Sequence, residues 1–237
     1  MHLALASRPG SCIRRLAGTR RREMQFTRFL RNPSVTATEM AVFTAEQTAA
    51  RVAGRDVVAI QDTSELALGG RKARANGFGP VGKGGALGGL LLHPVLAVDA
   101  MTGAVIGLVD FKIWNRDSGE AEPRRGRVTA DKESQRWLDG TARAGEVLAA
   151  AAQITMVADR ESDIYEQFAC RPPNVHQIVR ACQNRRIETG PEDPAGALLF
   201  SFIDSLPEHG RFIVNIPAAP GRKARSAELA IRFSSVV

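Results

Sequence analysis

"RDVVAIQDT", residues 55–63, is a short apolar run that closes on an acid. Bounded by polar residues, it reads as a buried strand with Asp62 at its carboxyl end. "ITMVAD", residues 154–159, repeats the arrangement with Asp159 in the same place. If the two strands lie parallel in one sheet, their carboxyl ends meet, which is where open α/β sheets place ligands.

The stretch between them predicts the rest of that sheet. A glycine-rich segment occupies residues 69–89, and within it residues 77–84 read as a flexible loop. "LLLHPVLAVDA" (90–100) and "AVIGLVDFKIW" (104–114) are apolar and β-rich, and the joint at Met101-Thr102-Gly103 makes them a hairpin. A polar loop, residues 117–129, leads to a helix over 130–153, with Trp137, Leu138, Val147 and Leu148 on its apolar face. Residues 160–169 read as a short helix and "VHQIV", 175–179, as a further strand. The order strand, hairpin, helix, strand, helix, strand implies a mixed α/β sheet flanked by helices.

Upstream, residues 1–23 look irregular and basic, with no sustained period. From Glu23 to Ala53 the pattern is helical, broken at "RNPSVT" (31–36), where Pro33 stops one helix and Ser34 or Thr36 caps the next. Downstream, "RFIVNIP" (211–217) and "AELAIRF" (227–233) flank a basic turn and predict a β segment of different character.

Apolar residues make up 44% of the 237 residues, which excludes general disorder. The net charge is +7 and the isoelectric point about 10.0, a balance that favours a polyanionic partner such as nucleic acid. The three cysteines are too few and too scattered for a disulfide framework, and a reducing cytoplasm fits them. No Cys-x-x-Cys or His-x₃-His pair supports zinc. No apolar run reaches the ~18 residues of a membrane span. The N-terminal arginines follow the short apolar stretch, the wrong order for a secretory signal.

Two carboxylates held together repel, and a divalent cation removes that cost. Oxygen ligands suit Mg²⁺, which is held by one or two carboxylates plus substrate phosphates. A pair of such ions can activate a water or a 3′-hydroxyl and stabilise the leaving oxygen of a phosphoryl displacement. The alternative is that Asp62 and Asp159 only cap loops. "GFGPVGKG" (77–84) nearly matches a phosphate loop, but Gly84 replaces the metal-binding hydroxyl and a strand, not a helix, follows. Lys83 within it remains available to a backbone phosphate. His93, in an apolar strand, is expected to be a satisfied core histidine. Trp114 and Trp137 are expected to be packing anchors. Asp131 is expected to cap the helix that follows it, and Glu161, Asp163 and Glu166 to form the polar face of the short helix after Asp159.

"RFLRNPSVT" (28–36), "AIQDT" (59–63), "GLLLHPVLAVDAMTGAVIGL" (89–108), "DKESQRWL" (131–138) and "VADRESDIYE" (157–166) occur in one order. Together they resemble the DDE transposases of the insertion-sequence-four family, from about Met24 to Arg180 and more weakly through residues 222–233. The resemblance implies an RNase H-like core that binds Mg²⁺, with Mn²⁺ as an alternative, and that cuts and rejoins DNA at transposon ends. It implies that Asp62 and Asp159 are the first two members of an acidic triad, and that Arg180 lies near DNA.

By the same resemblance, residues 1–53 correspond to a remnant of a helical DNA-recognition region. Residues 54–183 correspond to an incomplete RNase H-like core, and residues 184–237 to the start of a β-rich insertion. The family completes its triad with a glutamate in a Tyr-Arg-Glu-Lys signature on a later helix. No Tyr-x₂-Arg-x₃-Glu pattern occurs in residues 184–237. The expectation is a transposase fragment, truncated at both ends and inactive alone. The alternative is a non-catalytic DNA-binding fragment that interferes with a full-length transposase, its dimer partner.

Overall fold

The computed structural model describes residues 4, 7–8, 12–116, 133–188 and 196–235. Two compact units divide the chain, residues 1–180 and 181–237. The loop expected at 117–129 and the cap expected at Asp131 lie outside the described residues.

The first unit is built on a seven-stranded mixed sheet flanked by helices. Its strands are β1 (Asp56–Gln61), β2 (Ser64–Gly69), β3 (Gly79–Val81), β4 (Leu87–Asp99), β5 (Val105–Trp114), β6 (Gln153–Ala158) and β7 (Val175–Val179). β1 is central, antiparallel to β4 on one side and parallel to β6 on the other, and β6 is parallel to β7. β5 runs back antiparallel along the opposite edge of β4. The hairpin read from sequence is therefore present, with β4 starting earlier than expected. Asp99 closes it: its Oδ1 accepts from the backbone N–H groups of Met101 and Thr102 at 3.1 and 2.9 Å. Its Oδ2 accepts from Arg55 at 2.8 Å.

β1 and β2 together form one interrupted strand. Val57 pairs with Asp99 and Gln61 with Val95, and the same register resumes at Ser64 with Leu92. The two unpaired positions, Asp62 and Thr63, fall opposite Pro94 and His93. Proline has no N–H to give a ladder, so the bond that would tie the Asp62 carbonyl cannot form. The strand opens at the candidate acid because of a residue on its neighbour.

One sheet face holds the core, where Val57, Ala59, Val95, Ala97, Ile154, Met156 and Val175 meet Val52, Ala144 and Leu148. Helix α3 (Ala37–Ala49) and helix α5 (Gln135–Val147) cover that face. Both approach the sheet through small residues. A Cβ on Gly140 would collide with the Gln61 side chain, and one on Gly107 with Thr48, whose hydroxyl donates to the Leu108 carbonyl at 2.8 Å. The other face carries a cross-strand row, Leu108–Leu96–Ile60–Val157–Ile178, in which Ile60 and Ile178 are 40% and 60% exposed.

Three sequence expectations change. Residues 12–23 are not irregular: α1 (Ile13–Ala17) and the start of α2 (Arg20–Leu30) lie there, packed through Leu16, Ala17 and Phe26. A five-residue helix is too short to show a period, but these apolar residues are enough to join it to its neighbour. Among the described residues of the expected helix 130–153, helix α5 covers 135–147, because residues 133–134 are a turn and residues 148–152 turn to feed β6. The loop expected at 77–84 holds β3 and the start of a 3-10 turn, and the glycine-rich segment around it is structured as well. It contains the end of β2, α4 (Arg71–Ala75), β3 and a 3-10 turn at Lys83–Gly85. Its glycines admit close approach: a Cβ on Gly88 would strike Ala73 and the Arg74 backbone, and one on Gly89 the Leu66 carbonyl and Val81. At the break before α3, Thr36 takes the cap, its hydroxyl accepting from Glu39 N at 3.1 Å.

The second unit contains a short pair, β8 (Arg186–Ile187) with β9 (Ala197–Leu198), then a helix, α7 (Leu199–Ser205). An antiparallel hairpin follows, β10 (Gly210–Ile216) with β11 (Arg225–Ile231), the β segment expected there. Among the described residues no helix is long and apolar enough to cross a membrane.

Candidate functional site

The parallel pairing of β1 and β6 ends with Ile60 opposite Val157. Asp62 and Asp159 each stand two residues further on, at the carboxyl ends of adjacent central strands. Both side chains are exposed. Their local geometry is alike: Asp62 Oδ1 accepts from Thr63 N at 2.7 Å, and Asp159 Oδ1 accepts from Glu161 N at 2.8 Å. Each carboxylate is steadied by a backbone N–H just ahead of it.

Arg180 follows β7 at this same end of the sheet and is exposed, its N–H donating to the Ala158 carbonyl at 3.3 Å. Lys83 is exposed on the 3-10 turn before β4, where β4 pairs with β2 and β3 rather than with β1. The fold thus gathers Asp62, Asp159 and Arg180 at one sheet end and leaves Lys83 on the β2–β4 extension. Among the described residues no group of three or more His, Cys, Asp or Glu side chains converges as a metal cluster. Asp62 and Asp159 are two oxygen donors, a set that fits a hard divalent cation completed by water and phosphate.

Beneath the acids runs a buried polar chain. Arg136, on the first turn of α5, is 7% exposed. Its Nε donates to Thr63 Oγ1 at 2.8 Å and its Nη2 to Glu161 Oε2 at 2.9 Å. Thr63 Oγ1 lies 2.9 Å from His93 Nδ1, and His93 Nε2 lies 3.2 Å from Gln61 Oε1. Gln61 Nε2 donates to Thr141 Oγ1 at 3.1 Å, as does Gln167 Nε2 at 2.6 Å.

One assignment of protons satisfies every link: the Thr63 hydroxyl, already an acceptor from Arg136, donates to His93 Nδ1, and His93 Nε2–H donates to Gln61. The imidazole is then neutral. Burial, with Arg136 and Lys112 adding to it and Asp139 opposing, pulls its pKa down to about 4. His93 is the satisfied core histidine expected, and Trp137, edge-on to it at 4.7 Å, is the packing anchor expected.

Glu161 and Asp163 depart from their expected place on a helix face. The chain after Asp159 makes a 3-10 turn, Arg160–Ser162, and α6 (Tyr165–Ala169) begins only after an extended Ile164. Glu161 therefore turns to Arg136, and Asp163 is buried at 3% exposure. Arg136 itself went unseen because a search for apolar periodicity passes over it. The buried stripe of α5 is Arg136, Trp137, Gly140, Thr141, Ala144 and Gly145, whose 3.6-residue spacing was the available signal.

No family model matches the chain, and no curated protein matches it significantly.

Proposed function

We propose that this chain carries the RNase H-like catalytic core of a DDE transposase of the insertion-sequence-four family. In this reading Asp62 and Asp159 hold Mg²⁺, or Mn²⁺ in its place, against the phosphates of transposon-end DNA. The observation that carries it is the placement of the two acids in matching positions at the ends of the adjacent parallel strands β1 and β6. The mixed sheet, with its helices on the core face, supports the RNase H-like assignment. Arg180 at the same sheet end supplies a positive charge for a DNA phosphate.

When bound, the cation would neutralise developing charge on a phosphoryl oxygen and lower the pKa of a bound water. The chain's own contribution is to present two carboxylates, each oriented by a backbone N–H. A two-ion site takes a third carboxylate, and among the described residues none converges with Asp62 and Asp159; in this reading the chain by itself is inactive in strand transfer.

Mn²⁺ binding followed by electron paramagnetic resonance tests the reading, with Asp62→Asn and Asp159→Asn expected each to abolish it. Retention of binding in both variants would remove the metal assignment. An assay with Mg²⁺ and transposon-end DNA tests the second half, and robust cleavage by this chain alone would overturn the inactivity.

A non-catalytic DNA-binding role is the second reading, favoured by one observation. Arg14, Arg15, Arg20, Arg21, Arg22, Arg28 and Arg31 are all exposed along α1, α2 and the turn after them. A salt titration of DNA binding separates this from an uncharged contact: a steep loss of affinity with salt is expected, and a slope near zero would exclude phosphate contact.

A further inference from the structure

A single side chain reaches both acid-bearing turns. Arg136 is bonded at once to Thr63, the residue after Asp62, and to Glu161, two residues after Asp159. These are the same two residues whose backbone N–H groups hold the acids: Thr63 N donates to Asp62 Oδ1 and Glu161 N to Asp159 Oδ1. The guanidinium is also held by the Glu133 carbonyl, and by the rings of Trp114 and Trp137 at 5.7 and 5.3 Å. A planar fork with its donors engaged on separate elements has a fixed orientation, which an ammonium on a flexible stem does not reproduce.

We infer that Arg136 is a positioning residue: by clasping Thr63 and Glu161 it fixes the relative placement of the Asp62 and Asp159 carboxylates, and so raises their joint affinity for a divalent cation. The inference rests on the reading of Asp62 and Asp159 as the metal pair. Geometry and charge make opposite predictions here. A fixed positive charge close to a cation site weakens cation binding, so a purely electrostatic Arg136 would be a hindrance, and its removal would tighten the site. A clasp does the reverse.

The test uses the full chain and two readouts, Mn²⁺ affinity and hydrogen exchange at the Thr63 and Glu161 amides. Arg136→Gln is expected to weaken Mn²⁺ binding ~10–100-fold, the usual effect of losing a partner that orients a metal ligand. The same variant is expected to speed exchange at both amides. Arg136→Lys keeps the charge but not the fork and is expected to lose nearly as much. Thr63→Val and Glu161→Ala each release one arm and serve if the Arg136 variants fail to fold; each is expected to loosen the opposite turn as well as its own. Leu148→Ala, which weakens the same core without touching either turn, controls for general instability and should leave Mn²⁺ affinity unchanged.

Unchanged or tighter Mn²⁺ binding in Arg136→Gln would overturn the inference, as would wild-type exchange at both amides. Equal, negligible Mn²⁺ binding by wild type and Asp62→Asn would instead refute the metal reading and the affinity claim with it. Exchange in Arg136→Gln then decides whether the clasp itself exists.

Discussion

Asp62 lies opposite Pro94, at the point where the ladder between β4 and the β1–β2 strand is interrupted. The proline withholds the one donor that would bond the Asp62 carbonyl, and the chain there is free to turn its acid outward. Replacing Pro94 with Val restores that donor. Pro94→Val is expected to add about 1 kcal/mol of stability, the net worth of one ladder hydrogen bond. It should also slow exchange across residues 62–64. Urea denaturation and amide exchange check both, and an unchanged exchange pattern would mean that the proline does not cause the break.

His93 makes the fold acid-sensitive. Its folded pKa, about 4, lies below the ordinary 6.5, so the unfolded chain takes up a proton first as pH falls. The stabilising effect is fully present above about 6.5, is lost between that pH and about 4, and falls no further below. At ~1.4 kcal/mol per pKa unit the total is on the order of 3 kcal/mol. Protonation at Nδ1 would also remove the acceptor of the Thr63 hydroxyl. Denaturation midpoints at pH 7.5, 5.5 and 4.5, compared between wild type and His93→Gln, isolate this component from that of the carboxylates. Parallel pH dependence in the two proteins would refute it.

Helix α5 rests on the sheet through Gly140, where no Cβ fits against Gln61. Gly140→Ala should therefore destabilise by roughly 1–3 kcal/mol through overpacking, despite the better helix propensity of alanine. Leu148→Ala, at 0% exposure in the same core, should cost about 2–5 kcal/mol. Thermal melts of the two variants check these values, and a stabilised Gly140→Ala would mean the helix stands further from the sheet.

The apolar row on the second sheet face should be detectable in solution. Ile60 and Ile178 stay exposed beside Leu96 and Val157, and contiguous apolar surface of this kind binds dyes and associates. Ile178→Lys is expected to lower the fluorescence of a bound hydrophobic dye and to reduce self-association in sedimentation, with little change in stability. No change in either would mean that the row is covered in solution.

Much of the sheet was legible in the sequence because strands such as "VVAIQ" and "ITMVA" are short apolar runs with clear ends. The acid after each was legible for the same reason. The turn at Met101-Thr102-Gly103 was readable from its chemistry, and Gly103 does adopt a positive φ of 70°. What the sequence concealed were contacts without a period. Leu16, Ala17 and Phe26 join two helices, the first of them only five residues long, and the buried stripe of α5 mixes a charge, an aromatic ring and small residues. Asp163 looked like part of a helix face because its spacing to Glu166 is helical, and Glu161 like a first-turn acid, but the backbone at Ile164 is extended.

Sequence alone fixed which residues are apolar runs, where each run stops, and that Asp62 and Asp159 close two of them. Local chemistry suffices for that, since burial and turn formation are written residue by residue. Tertiary structure decided that these two runs are neighbours and parallel, that Pro94 lies opposite Asp62, and that Arg136 reaches both turns. Strand pairing and a buried guanidinium's partners depend on residues tens of positions apart meeting in space. No window along the chain contains that information.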